Sequence, residues 1–321
     1  MLQLIKQFDA QLAKKIQTDV SLTPYTTFKI GGPAKYFFIA QNNEDLVRAV
    51  SYTRKLKIPH YILAGGSNLL ISDNGYDGLI ILNQANEIIF KDNNRVVADA
   101  GAKLFDLVNQ TVEHGLTGLE WAAGIPGSVG GAIRGNAGAY RGEMADNIIG
   151  VEIMRGSKQF ILSKEQCEFD YRDSIFKHNN DLIISGEWQL ESGDKLKSQE
   201  KIKEILEKRK NNQPLEYPSA GCIFKNIEIN SANLDKIDNL KNLPAEYLQY
   251  KKIPAAWLIE QTGLKGEKIG DAQISEKHAN FIINLGQATA EQVKELIDLV
   301  KNQVKQKFDL HLEEEVQYLG F

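Results

Sequence analysis

The chain has 321 residues, enough to bury a large core and to form two or three domains, and its 42 acidic against 38 basic residues leave a net charge of -4. That balance excludes nucleic acid as the main partner, because a phosphate backbone calls for a concentrated basic surface. Two cysteines, Cys167 and Cys222, are too few for a disulfide scaffold, and no apolar run approaches the ~20 residues that span a bilayer, so a soluble cytoplasmic protein is expected.

Leu4, Ile5, Phe8, Leu12 and Ile16 recur at helical spacing, which predicts an amphipathic N-terminal helix over 1–24 rather than a signal peptide. Tyr36–Ile39 reads as a strand, and Asn43 as the N-cap of a helix with Glu44 and Asp45 in its first turn. Pro59 forbids that helix from continuing. A second strand, Tyr61–Leu63, opens into Gly65-Gly66-Ser67-Asn68, a turn whose backbone N–H groups could cradle a phosphate. An ordinary turn is the equal alternative, and the dinucleotide fingerprint GxGxxG is absent. Asp77-Gly78 is read as a turn, Leu79–Leu82 and Val96–Ala98 as strands, and Leu104–Val112 as a helix closed by His114 and Gly115.

Residues 118–140, GLEWAAGIPGSVGGAIRGNAGAY, hold seven of the 26 glycines and only two charges, Glu120 and Arg134. Glycine costs conformational entropy in regular elements, so this density requires left-handed backbone or backbone lying directly against a ligand. A flexible linker would be richer in Ser, Lys and Glu. A stack of tight turns in an all-β domain is the plainer reading; a small-residue wall against something flat or polyanionic is favoured.

Strands are expected at Ile148–Met154, Gln159–Leu162 and Leu182–Leu190. Arg172, within Phe169-Asp170-Tyr171-Arg172-Asp173-Ser174, is either a satisfied structural ion pair or a guanidinium for a substrate carboxylate. Residues 199–213 form a charged helix with a solvated face, stopped by Pro214. Cys222, in Tyr217-Pro218-Ser219-Ala220-Gly221-Cys222-Ile223-Phe224-Lys225-Asn226, reads by default as a small buried hydrophobe. Residues 227–250 read as a polar surface excursion, Ala255–Gln261 as a helix, and Phe281–Ile283 as a strand. Thr289 with Gln292 makes a capping box for a last helix whose stripe is Val293, Leu296, Ile297, Val300 and Val304. As a terminal strand, the LEEEVQYLG stretch would place Leu312, Glu314 and Val316 on one face and Glu313, Glu315 and Gln317 on the other. No internal repeat is visible.

From about Tyr25 onward these segments resemble, in order, the UDP-N-acetylenolpyruvoylglucosamine reductases (MurB): TTFKIGGPA, ILAGGSNLL, the glycine wall, FDYRDS, PSAGCIFKN, AWLIEQTGLKG, ISEKHANFIIN and LEEEVQYLG. The ordered set is specific where each piece alone is weak. The resemblance implies an α+β fold: an FAD-binding region of the vanillyl-alcohol oxidase (PCMH) type over 25–195, in subdomains of about 25–75 and 76–195. A smaller α+β substrate-binding domain would cover 196–308, with a strand over 309–321 returning to the active site. It further implies that NADPH reduces FAD and that the enol ether of UDP-N-acetylglucosamine-enolpyruvate then takes hydride at its terminal carbon and a proton at the other.

Carried onto this chain, the family's FAD contacts are Gly65, Gly66, Ser67 and Asn68, and in the wall Gly124, Ile125, Pro126, Gly127, Ser128, Gly130, Gly131, Ala132, Asn136 and Gly138. Arg172 would stabilise the enolate, Glu315 would act beside it, and Cys222 stands where many relatives carry the proton-donating Ser. A thiol titrating near ~8.5 is the better acid of the two. Tyr171, Arg209, Lys225, Asn226 and His278 are implied substrate contacts. Gln317 replaces a frequent Arg, Glu314 a Pro, and Ile227 another Pro. No equivalent of the tyrosine-bearing capping loop is found, which implies the subtype lacking it. No metal, membrane or nucleic-acid partner is implied, and a monomer is expected. Two readings from other classes stand beside this one: another non-covalent FAD oxidoreductase of the same superfamily, and a non-catalytic nucleotide-sugar sensor.

Overall fold

The computed structural model of the protein describes residues 12, 15–230, 234–238, 240 and 243–321. The chain divides into two compact units. The first comprises residues 1–20, 33–66 and 76–209, the second residues 21–32, 67–75 and 210–321. This partition is drawn differently from the expected boundaries. The segments 21–32 and 67–75 join the C-terminal unit, and most of the helix Lys195–Asn212 joins the first.

In the first unit, Pro33–Ala40, Tyr76–Asn83 and His60–Leu63 run parallel in a four-stranded sheet completed by Gln17–Ser21. The expected N-terminal helix therefore does not reach residue 24; its residues 1–11, 13 and 14 lie outside the described ones. QTDVS is extended, and Thr23-Pro24-Tyr25 forms a single 3-10 turn. Asp77-Gly78 lies within a strand rather than in a turn. The helix Asn43–Lys55 is capped by Asn42, whose Oδ1 accepts the Asp45 N–H at 2.9 Å, one residue earlier than expected. Asn43 instead donates to Asp99 Oδ1 at 2.6 Å.

A second sheet is wholly antiparallel, in the order Lys158–Ser163, Ile148–Arg155, Leu182–Gln189, Arg95–Asp99, Ile88–Lys91. Its inner residues Val96, Ala98, Val151 and Trp188 pack with Leu104, Leu107 and Val108 of the helix Leu104–Glu113 and with Val129 and Ile133 of the glycine wall. The wall is thus built onto this core.

The second unit has an antiparallel sheet in the order Ser219–Cys222, Phe281–Asn284, Ala272–Ile274, Lys268–Ile269. The helices Ala255–Thr262 and Ala290–Phe308 cover it with Leu258, Ile259 and the predicted stripe Val293, Leu296, Ile297, Val300 and Val304. The capping box of Thr289 and Gln292 is present. Gln317–Leu319 pairs in parallel with Leu69–Ile71. The terminal strand is confined to those three residues; ahead of it Leu312 and Val316 are buried and Glu314, partly buried between them, is tied to Lys301 at 2.7 Å. The 227–250 stretch is more than a surface excursion, since Ile237 joins the core and Ile227–Glu228 pairs with Lys252–Ile253. Among the described residues no helix is long and apolar enough to cross a membrane.

Asn284 is buried at the centre of this unit. It donates to Phe28 O at 3.1 Å and accepts from Gly286 N at 2.8 Å and Ala288 N at 3.0 Å. Removing the amide orphans two buried backbone groups, Phe28 O and Ala288 N. Asn284→Ala is expected to cost about 2–4 kcal/mol, measured by denaturant unfolding.

Candidate functional site

The wall begins with Glu120, Trp121 and Ala122, all buried. Glu120 accepts from Thr117 Oγ1 and Ser198 Oγ, each at 2.6 Å, and from Gly118 N at 3.0 Å. Burial pushes its carboxyl up, but these hydrogen bonds outweigh burial and hold it below the usual range. They anchor the helix Lys195–Asn212, whose buried face is Ser198, Ile205 and Arg209. That helix is therefore not simply solvated. Arg209 lies against Gly124 and stacks over Tyr140, 5.5 Å from the ring centroid.

The glycines serve two different purposes. A Cβ on Gly65 would fall 2.5 Å from Gly127 Cα, on Gly130 2.7 Å from Ala100 Cβ, and on Gly124 2.8 Å from Arg209 Cδ. These residues permit close internal approach. A Cβ on Gly131, by contrast, would meet only Ser128 Oγ at 3.4 Å, and one on Gly135 only Gly131 O at 3.5 Å. Gly131 is exposed, as is Pro126, and Gly124 and Gly127 have φ of 74° and 117°. This bare backbone is where a flat cofactor could lie, and the donor set is compatible with FAD.

Several expected cofactor contacts are occupied by internal partners. Ser128 is buried and caps the short helix Val129–Arg134 by accepting from Gly131 N at 3.2 Å. Asn136 is buried, donating to Asp170 O at 3.0 Å and accepting from Ala145 N at 3.1 Å. Its side chain joins the wall to the FDYRDS loop. Asn68 belongs to the second unit, where its Nδ2 donates to Glu315 O at 3.0 Å. The GGSN turn is thereby split between the two units after Gly66.

Arg172, in the first unit, occupies the left-handed region at φ 55° in a two-residue turn closed by Asp170 N to Asp173 O at 3.1 Å and Asp173 N to Asp170 O at 3.0 Å. Its Nη2 donates to Gly138 O at 2.6 Å, its guanidinium stacks on Tyr171 at 5.3 Å, and Lys177 Nζ donates to its carbonyl. Gly138 has no room for a side chain, since a Cβ there would lie 2.9 Å from Gly142 O and 3.1 Å from Arg172 Nη1.

The second unit brings Cys222, Lys225, Asn226, His278 and Glu315 into one network. Cys222 follows a bulge: Ser219 faces Ile283 and Cys222 faces Phe281, with Gly221 left-handed at φ 76°. Cys222 is half-buried. Ile223 O accepts the Glu315 N–H at 2.8 Å, Phe224 bridges Glu314, and Lys225 N donates to Glu313 O at 2.8 Å. Lys225 Nζ pairs with Glu313, and Asn226 Oδ1 accepts Ala255 N at 3.1 Å, starting the helix Ala255–Thr262. His278 Nδ1 accepts the Asn280 N–H at 3.3 Å, and its ring meets Phe281 edge-on at 4.8 Å. A neutral imidazole held this way carries its proton on Nε2.

The residue that sequence reasoning missed is Asn280. Buried, it bonds Phe224 through both amide atoms, accepting from N at 3.0 Å and donating to O at 2.9 Å, while its own carbonyl accepts Ile223 N at 2.9 Å. Its only sequence signal was its place in SEKHANF, since neither partner of its side-chain amide is local.

Comparison with known proteins agrees with this division of labour. Residues 34–158 match the family model for an FAD binding domain, and residues 213–319 the model for the C-terminal domain of UDP-N-acetylenolpyruvoylglucosamine reductase. The chain is 37% identical over 318 residues to UDP-N-acetylenolpyruvoylglucosamine reductase of Clostridium novyi, covering 98% of this chain and 96% of the relative. It is 39% identical over 307 residues to that of Clostridium kluyveri, covering 95% and 93%. The crystal structure of the Thermus caldophilus reductase superposes with a TM-score of 0.74 at 32% identity, covering 95% of this chain and all of that one.

Two measurements probe the electrostatics of buried groups. Burial pushes the Cys167 thiol up to about 12, so a thiol reagent is expected to titrate one cysteine in the native protein and two after denaturation. Burial also lowers the His278 pKa below 6.5, with Lys265 acting in the same direction. The unfolded state then binds more protons below that value, so stability rises with pH and falls as pH drops through 6.5. His278→Gln is expected to flatten that slope in melting curves recorded between about pH 5 and 7.

Proposed function

The chain belongs to the UDP-N-acetylenolpyruvoylglucosamine reductase family, and on that premise we propose how its residues divide the reaction. The enzyme is a UDP-N-acetylmuramate dehydrogenase, a flavoprotein of peptidoglycan precursor synthesis with an α+β fold and an FAD-binding region of the vanillyl-alcohol oxidase type. Its substrate is UDP-N-acetylglucosamine-enolpyruvate, and a cytoplasmic location follows from a nucleotide-sugar substrate and a nicotinamide donor. The bare backbone at Gly131 and Gly135, with Gly65, Gly66 and Gly124–Gly127, is the surface we assign to FAD. These residues would hold FAD, which when bound would supply the hydride-transfer chemistry between NADPH and the terminal enol carbon.

The protein's own residues manage charge and proton. Addition at the terminal carbon breaks the C=C π bond and leaves an electron pair on the carbon bearing the ether oxygen, delocalised into the carboxylate. Arg172, pre-set by its turn and by Gly138 O, neutralises that charge; a fixed donor of this kind contributes about 10²–10³ in rate. Cys222 Sγ–H then gives its proton to the carbon, forming the new C–H bond and leaving a thiolate. Glu315 holds a proton beside the reacting carboxylate. His278 offers an Nε2–H donor to the substrate, with Tyr171, Lys225, Asn226 and Arg209 as further contacts. The observation that carries this reading is the hydrogen bond from Glu315 N to Ile223 O, which registers the acid against the residue next to Cys222.

Anaerobic NADPH should bleach the flavin absorbance of the purified enzyme, and the enolpyruvyl sugar nucleotide should restore it. In Cys222→Ala the bleaching should persist while restoration slows by about 10²–10⁴-fold. In Cys222→Ser it should fall between the two. Restoration at the wild-type rate in Cys222→Ala would remove the thiol as proton donor.

A further inference from the structure

We propose that Asn68 and Gln317 form a two-carboxamide clamp that positions Glu315, an inference resting on the reading of Glu315 as a catalytic acid. Residue 315 lies between two regular pairings, the Phe224–Glu314 bridge and the parallel ladder that begins at Gln317 and Leu69, and belongs to neither. Its backbone is nonetheless fully bonded. The N–H donates to Ile223 O at 2.8 Å. The carbonyl accepts from Asn68 Nδ2 at 3.0 Å and from Gln317 Nε2 at 3.1 Å. Asn68 closes the loop by accepting Gln317 N–H on its own carbonyl at 3.1 Å.

The clamp is held rigidly from behind. Ser72 N donates to Leu319 O at 2.9 Å, and Asp73 accepts Ala290 N at 2.9 Å and Glu291 N at 3.3 Å, fastening the 67–75 segment to the start of the helix Ala290–Phe308. Gly320 packs so closely on Gly75 that a Cβ there would overlap its carbonyl oxygen. With the main chain of residue 315 immobilised on both sides, only side-chain torsions remain to place its carboxyl. The target is a carbonyl, so the clamp must donate, which the carboxamides at 68 and 317 do and an ionised Asp, presenting only acceptors, would not. The Gln at position 317 thus acquires a role in positioning, without a substrate contact.

The test compares Asn68→Asp, Gln317→Leu, the double variant and Glu315→Gln in the flavin-loaded protein. It uses backbone amide exchange and the two half-reactions, flavin reduction by NADPH and reoxidation by the enolpyruvyl sugar nucleotide. In Asn68→Asp, exchange at residues 315–317 should rise about tenfold while residues 281–284 stay protected. Reduction should stay within about twofold of wild type, and reoxidation should slow by about ten- to a hundredfold. Gln317→Leu should move the same readouts less, and the double variant more than the product of the two, because each amide partly covers for the other. Unchanged exchange at 315–317 would overturn the clamp. Loosened exchange with full-speed reoxidation would overturn its purpose, and equal losses in both half-reactions would assign Asn68 to the flavin instead. Unimpaired reoxidation in Glu315→Gln would remove the reading of Glu315 itself, a failure distinguishable because the exchange result stands without it.

Discussion

The second unit depends on one buried carboxamide. Asn280 bonds both the N–H and the C=O of Phe224, as a neighbouring strand would. An Asn at this depth is tolerated because every bond it lost to water is remade, and leaving one of its partners bare would cost about 1–3 kcal/mol. Once Phe224 is fixed, Ile223 O is aimed at Glu315 N and Lys225 N at Glu313 O. The terminal segment is thereby laid beside the strand that ends in Cys222. Asn68 then closes the far side. Three hydrogen-bonded layers, each anchored by a carboxamide or a peptide, hold a thiol and a carboxyl in register.

How much of this the sequence displays depends on the range of the interaction. Local devices are visible: the Thr289–Gln292 box, the Val293–Val304 stripe and the arrest of a helix before Pro59 all appear as read. Non-local ones are not. Nothing near Asn280 announces Phe224, 56 residues away, and nothing near Asn68 announces Glu315, 247 residues away. The same limit explains the domain boundaries. Segments 21–32 and 67–75 join the C-terminal unit through bonds such as Thr27 Oγ1 to Ser219 O at 2.7 Å and through the parallel Leu69–Ile71 pairing. Composition carries no trace of either.

The glycine wall shows a subtler limit. Its glycine density signals crowded or bare backbone, and both are present in one segment. Gly65, Gly124 and Gly130 let protein approach protein, whereas Gly131 and Gly135 leave backbone open. Crowded backbone excludes a Cβ outright, whereas open backbone needs glycine only where something lies against it, so one residue type answers two opposite environments and only the fold separates them. The same ambiguity covers the polar residues between them. Ser128 and Asn136 are FAD contacts by the family resemblance, and the hydrogen bonds of their side chains turn inward to build the loop.

Arg172 completes the argument, because its backbone is unfavourable for its side chain. In a two-residue turn the position with positive φ is ordinarily left to Gly or Asn, and a longer side chain there costs about 1–3 kcal/mol. Neither Gly nor Asn could present a permanent, planar cation, so the turn carries the strain and its surroundings hold it in place. The reciprocal bonds between Asp170 and Asp173 close it, Asn136 grips Asp170 O, Lys177 covers the carbonyl of Arg172, and Gly138 gives both space and an acceptor to the guanidinium. With so many partners already in place, the guanidinium is held with little freedom to reorganise, as the role proposed for it requires. A strained backbone and a preorganised charge are here the same structural fact.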